Sequence, residues 1–237
     1  MNTTPKIKIT ILMPALNEGK TIIKTINDCY KHTQYDVDVL VVTDSKIKKD
    51  TLEAAKTTKA RIIDIGKGKG KGYAVRKAIP FLKNDIIVQL DADYQFLPTD
   101  LPKMIQPLLQ GYDVTLGTRY QRGSHIAKDS VSLLRLFGSY GLSAVTSIFA
   151  KQRITDVMAG YKGFNKGVLK KLNPKTDHFG YEAELVLKAE YYRMKIINVP
   201  ISYRKRKEGR TSVSSIRDGL LVLRTIIGVG KYNFWKA

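Results

Sequence analysis

The sequence predicts an α/β fold with a mostly parallel central sheet. Short apolar runs recur through its first half, a helical pattern separates each run from the next, and the runs end in turn-forming or acidic residues. Strands alternating with helices of this length build parallel sheets with right-handed crossovers.

Residues 7–13 form the first apolar run, which ends at Pro14. In 19–32, Ile22, Ile26 and Cys29 recur at helical spacing, with Asn17 as the expected N-cap. A strand over 37–43 ends at Asp44. A short helix over 51–57 then leads to a strand at 61–65. The Gly/Lys run 66–72 opens a helix over 73–82, and a strand over 85–90 ends in Asp91-Ala92-Asp93. Pro98-Thr99 starts another helix, and 113–118 is the fifth strand. The second half is less regular: helix 130–150, strand 160–164, helix 180–193, strand 196–203 and an amphipathic helix from 218. No internal repeat or linker interrupts the chain, so residues 1–237 read as one domain, with 218–237 as a C-terminal amphipathic segment.

At 237 residues and 43% hydrophobic content, the chain has enough apolar surface for a real core. Its single cysteine, Cys29, excludes an intramolecular disulfide, suits the cytoplasm, and lies in an apolar pattern that reads as core. Residues 1–8 carry no signal-peptide stretch. The longest charge-free run, 136–150, is too short to span a bilayer, so no transmembrane domain is expected. The net charge of +20 suits polyanions: nucleic acid, anionic lipid or phosphorylated substrates. The chain carries no nucleic-acid module, and its cations are dispersed rather than interleaved with aromatics, which argues against nucleic acid.

In open α/β sheets, ligands bind beyond the carboxyl ends of the strands, where strand order reverses. With strand order 3-2-1-4, Glu18, Asp44 and the Asp91/Asp93 pair converge on one cleft of an otherwise basic protein. Two aspartates one residue apart at a strand end can share a hard cation that keeps waters and bridges phosphates. Such a cation would assist a departing diphosphate. His32, His125 and His178 lack metal-ligand spacing.

Ile11-Leu12-Met13-Pro14-Ala15-Leu16-Asn17-Glu18, Asp91-Ala92-Asp93-Tyr94-Gln95 and Gly117-Thr118-Arg119-Tyr120 resemble the family-2 inverting glycosyltransferases of the GT-A fold, a Rossmann-like nucleotide-sugar-binding architecture. The nearest subgroup in pattern is the dolichol-phosphate mannose synthase type, which transfers a hexose to a polyprenyl phosphate. The resemblance implies that Pro14, Leu16, Glu18 and Asp44 hold the nucleoside; Leu16 stands where an aromatic is frequent. It implies that Asp91, Ala92 and Asp93 meet the diphosphate, with Mg²⁺ or Mn²⁺ on Asp91, Asp93 and Gln95. Arg119, Arg135 and Ser139 match positions that grip the acceptor phosphate, the lesser alternative for Arg119 being a pairing with a carboxylate at the core edge.

Residues 155–164 resemble the family's Asp-x-x-Ser-Gly-Phe segment, with Ala159 in place of serine. Residues 203–209 resemble a mobile loop whose arginine closes on the donor diphosphate, which selects Arg206. Thr211-Ser212 replaces the usual Ser-Lys, leaving Arg210 as a substitute cation. Lys71 suits either a phosphate contact or solvent, and only one of Glu182 and Glu184 can face the cleft.

The implied reaction is a single displacement with inversion, from GDP-mannose or a UDP-hexose. A phosphate acceptor has a second pKa of about 6 and needs positioning more than deprotonation. A hydroxyl acceptor, as in a glycan, would need a base, for which Asp156 is the candidate. A phosphorylated small molecule is a further soluble acceptor, and a non-enzymatic polyanion-binding protein is the minor alternative. A lipid acceptor calls for peripheral attachment to the cytoplasmic face of an anionic membrane. Leu220, Leu221, Leu223, Ile226 and Ile227, followed by Lys231, Trp235 and Lys236, suit the headgroup boundary.

Overall fold

A computed structural model describes residues 7–46, 49–206 and 216–236, with side chains through Tyr232. The apolar runs become β1 (Lys8–Ala15), β2 (Asp36–Thr43), β3 (Arg61–Asp64), β4 (Ile86–Gln89) and β5 (Val114–Thr118). A two-residue strand, β6 (His125–Ile126), then precedes β7 (Lys162–Asn165), β8 (Ile196–Pro200) and β9 (Ser202–Tyr203). Seven of them form one sheet, in the order β3-β2-β1-β4-β7-β5-β8. All its pairs are parallel except those of β7, which runs antiparallel between β4 and β5. The first four strands take the expected order 3-2-1-4. Because β7 inserts beside β4, both halves of the chain share one sheet. Gly163 lies at the centre of this insertion, where a Cβ would collide with the Thr115 hydroxyl.

Seven of the eight residues of β1 are buried, as expected for a strand covered on both faces. Ile9, Ile11 and Met13 point to one layer and Leu12 to the other, the period-2 alternation of a strand. On the first face pack α1 (Ile22–Lys31), α2 (Asp50–Lys56) and α4 (Leu101–Leu109). On the other lie α3 (Lys71–Ala78), α5 (Leu133–Ala150), α6 (Val168–Leu172), α7 (Tyr181–Tyr191) and α8 (Arg217–Lys236).

Several elements differ from expectation. β1 runs through Pro14, which pairs in register with Val42, and ends at Ala15. Thr21, not Asn17, precedes α1, and Asn17 is a turn residue with φ of 60°. α3 begins two residues early, at Lys71, and tightens into a 3-10 turn at Ile79–Phe81, because Pro80 lacks the N–H that would extend it. The last predicted strand breaks after Pro200, and β9 pairs instead with β6.

α5 gains Leu133–Arg135 beyond the charge-free run, capped by the Ser132 hydroxyl. Its 18 residues have mean hydropathy 1.3 and span about 27 Å, so by length and composition it could cross a membrane. Only Ser143, Thr146 and Ala150 are fully buried. Its remaining apolar surface is a property of this face that the expectation of no spanning segment did not anticipate.

Candidate active site

The chain leaves β1 toward β2 on one side, and β4 lies on the other. That reversal opens the crevice where the acidic residues were expected to meet. The loop after β1 brings Glu18, β2 is followed by Asp44, and β4 by Asp91, Asp93 and Gln95. Asp44 is buried, and its carboxylate accepts from the backbone N–H of Lys46 and of Gly68. It is thereby fixed at the floor of the crevice.

Asp93 and Glu18 share one guanidinium. Arg206 Nη2 lies 2.6 Å from Asp93 Oδ2, and Nη1 lies 3.2 Å from Glu18 Oε1. The Gln95 N–H donates to Asp93 Oδ1 at 3.0 Å, and the Gln95 amide holds the Arg204 carbonyl at 3.1 Å. Gln95 therefore ties the segment carrying Arg206 to the acidic turn. That turn is sharp: Tyr94 adopts φ of 59°, a left-handed conformation uncommon for a bulky residue and typical of functional turns. Burial pushes the Glu18 carboxyl up to about 7, with Arg206 opposing and Asp93 adding to the rise.

Asp91 is paired with Lys71, whose Nζ lies 2.6 Å from Asp91 Oδ1 and 3.0 Å from Glu182 Oε1. Lys71, which the sequence left between a phosphate contact and solvent, thus points inward. Glu182 is the glutamate that faces this cluster, whereas Glu184 accepts from the backbone N–H of Lys175 and Thr176. Behind Glu182 stands Lys162, fully buried, with its ammonium on Glu182 Oε2 at 2.5 Å and on the Val157 and Ala159 carbonyls. The Tyr181 hydroxyl and the Gln89 amide also donate to Glu182.

Burial alone would raise the Glu182 carboxyl, but Lys162 and Lys71 hold it below its ordinary range. Burial lifts Asp91 to about 6 against the pull of Lys71. Gly160 is confined here, since a Cβ would strike the Asp91 carboxylate. Sequence reasoning missed Lys162; the one signal was a lysine set among apolar neighbours in a predicted strand.

On the far side, Arg119 follows β5 and meets Asp156 in a bidentate pair, Nε to Oδ2 at 2.7 Å and Nη2 to Oδ1 at 2.9 Å. The Arg119 backbone N–H also donates to Asp156 Oδ2. Burial would lower the guanidinium pKa, but Asp156 outweighs it and holds the charge firmly. Tyr120 and Tyr203 lie against the guanidinium at 4.9 and 5.0 Å. Tyr120 in turn packs on Tyr140 at 4.7 Å, which brings α5, with half-buried Arg135 and Ser139, beside the end of β5.

Among the described residues, no three His, Cys, Asp or Glu side chains cluster as a metal cage. The Asp91, Asp93 and Gln95 oxygens are hard donors that leave positions open, which fits a divalent ion shared with phosphate and water. Each carboxylate already balances a cation, so the site is built for positive charge. A cavity of about 410 Å³ lined by Ala127, Arg204, Lys205 and Arg206 adds two further cations beside Arg206. A larger one of about 730 Å³, lined by Tyr112, Arg193 and Ile196 among others, lies at the amino ends of β5 and β8, away from this chemistry. Arg210 and Thr211-Ser212 lie outside the described residues.

Comparison with known proteins identifies the family and the fold. Glycosyltransferase AglJ of Haloferax volcanii is 29% identical over 227 residues, covering 95% of this chain and 73% of that protein. A UDP-N-acetylglucosamine–dolichyl-phosphate N-acetylglucosaminyltransferase of Methanococcus voltae is 30% identical over 217 residues, covering 81% and 84%. The same fold occurs in glucosyl-3-phosphoglycerate synthase of Mycobacterium tuberculosis, solved with Mn²⁺, UDP-glucose and phosphoglyceric acid. Its TM-score is 0.75 at 20% identity, over 95% of this chain and 80% of that one. Residues 10–173 match Glycosyl transferase family 2, and the chain belongs to that family as a glycosyltransferase of GT-A fold.

Proposed function

We propose that the protein moves a hexose, mannose or glucose, from a nucleoside-diphosphate sugar to a polyprenyl phosphate, with inversion. The observation that carries this reading is the cluster of Glu18, Asp44, Asp91 and Asp93 in the β1/β4 crevice, facing Arg119 and α5 across it. Asp44, Glu18, Pro14 and Leu16 form the nucleoside side. Asp91, Asp93 and Gln95 would hold Mg²⁺ or Mn²⁺, which when bound neutralises the leaving diphosphate. Arg206 supplies a second positive charge to that diphosphate.

The state of Asp156 favours a phosphate acceptor. Both its oxygens accept from Arg119, so the one candidate base for a hydroxyl acceptor is committed. A dianionic phosphate needs no base. Arg119 keeps guanidinium donors beyond the two given to Asp156, and with Arg135 and Ser139 it would position the nucleophile. Arg135→Ala should raise the acceptor KM roughly 10- to 100-fold, the worth of a hydrogen bond to a charged group, with nucleotide affinity unchanged. Loss of nucleotide affinity by calorimetry would move Arg135 to the donor side.

A lipid acceptor also requires a surface that meets the membrane. α8 divides its expected apolar face: Val222 and Ile226 are buried, while Leu220, Leu221 and Ile227 are exposed. The side chains of Trp235 and Lys236 lie outside those described. α5 exposes Leu133, Leu134, Phe137 and Tyr140 in the turns that carry Arg135 and Ser139. The same helix would thus touch lipid and hold the acceptor's phosphate, with the protein peripheral on the cytoplasmic face.

The protein should co-sediment with anionic vesicles at low salt. Leu134→Glu with Phe137→Glu should weaken partitioning about 100-fold, since two exposed side chains lose apolar burial worth about 3 kcal/mol. Unchanged sedimentation would remove α5 from the contact. The function itself is tested by supplying labelled nucleotide sugars with polyprenyl phosphate in vesicles. The expected result is a labelled lipid product. Transfer only to a soluble phosphorylated acceptor would overturn the lipid assignment.

A further inference from the structure

The two carboxylates expected to hold the metal are balanced in unequal ways. Asp91 pairs with Lys71, and behind Lys71 lie Glu182 and then Lys162, two carboxylates and two ammoniums in all. This network is neutral; its deepest members, Lys162 and Glu182, are 1% exposed at the side chain, and Lys71 and Asp91 lead from them to the crevice. Moving Lys71 would strip a buried carboxylate of its charge partner. Asp93, by contrast, pairs with Arg206, which keeps 21% of its side chain exposed and also spans to Glu18. One positive charge there faces two negative ones.

We propose that Arg206 holds the place of the divalent ion and makes metal binding depend on the nucleotide diphosphate. This rests on the metal-dependent reading above and adds to it an order of binding. A divalent ion on Asp93 meets the Arg206 guanidinium on the same carboxylate, and two cations cannot share it without repulsion. Metal arriving alone must therefore displace Arg206 from Asp93, leaving it Glu18 and giving it no new anion in return. Metal arriving with a diphosphate gives Arg206 a new partner, so the guanidinium exchanges carboxylate for phosphate. Lys71 stays on Asp91 throughout, because Glu182 already balances its charge and Lys162 anchors Glu182 from behind. The coupling is reciprocal: nucleotide tightens metal by the factor by which metal tightens nucleotide.

The test is Mn²⁺ binding to the full chain, read by calorimetry or by the electron paramagnetic resonance of free Mn²⁺, with and without UDP or GDP. Arg206→Ala and Arg206→Gln are compared with the wild type after circular dichroism has shown them folded. Both variants should bind Mn²⁺ alone about tenfold more tightly than the wild type, within the usual range of site–site coupling, while binding nucleotide more weakly. A residue that only contacts diphosphate would leave affinity for Mn²⁺ alone unchanged. Equal or weaker binding of Mn²⁺ alone by both variants overturns the proposal. The metal reading fails separately if the wild type binds no Mn²⁺ even with nucleotide, or if Asp93→Ala binds it equally well.

Discussion

Asp93→Ala should reduce kcat/KM by about 10³-fold or more, since a metal that stabilises a leaving diphosphate contributes several kcal/mol to the barrier. The substitution removes a metal oxygen and the Arg206 anchor at once. Asp91→Asn should lose as much activity while keeping the shape of the contact with Lys71, which separates charge from packing. Excess EDTA should silence the wild type, and added Mg²⁺ or Mn²⁺ should restore it. The measurement is initial rate at saturating acceptor against nucleotide-sugar concentration. Full activity in EDTA, or a tenfold loss or less in Asp93→Ala, would remove the metal from the reaction. Because Asp91 leads into a buried ion network, whereas Asp93 pairs with a partly exposed arginine, only Asp91 variants should also lower thermal stability.

The residues differ in how far they betray their places. β1, β2 and β4 are apolar runs ending in turns, a pattern that marks buried strands whose loops meet at one end of the sheet. β7 has weaker strand character, and nothing in Lys162–Asn165 says that it runs antiparallel between two parallel strands. Direction depends on where the preceding chain returns, which is a long-range property.

Charge pairing is equally hidden. Lys71 and Glu182 are 111 residues apart, and Arg119 and Asp156 are 37 apart, so no local pattern announces either pair. Local rules therefore send Lys71 to solvent or phosphate and leave Asp156 as a base candidate. Apolar content misleads in the opposite direction on α5. The charge-free run 136–150 shows an apolar helix without showing what covers it, and Phe137 and Ile148 are 70% and 74% exposed. Periodicity reports that a helix has an apolar face, not whether the protein covers it.

Glu182→Ala should destabilise the fold by about 3–5 kcal/mol, the usual cost of leaving a buried charge without its partner. Lys162 would keep only the Val157 and Ala159 carbonyls, and Lys71 only Asp91. The Tyr181 hydroxyl and the Gln89 amide would lose an acceptor as well. At about 2–4 °C per kcal/mol for a chain of this size, Tm should fall on the order of 10 °C. Removing both charges should hurt less: Glu182→Leu with Lys162→Met replaces an ion pair by apolar groups of similar volume, which is often close to neutral. The double variant should thus be more stable than Glu182→Ala by at least about 1 kcal/mol in urea titrations, a coupling of the size that neighbouring residues show. A Glu182→Ala protein within about 1 kcal/mol of wild type would mean that water reaches Lys162. In that case the network under Asp91 is solvated, and it cannot be what holds Lys71 in place.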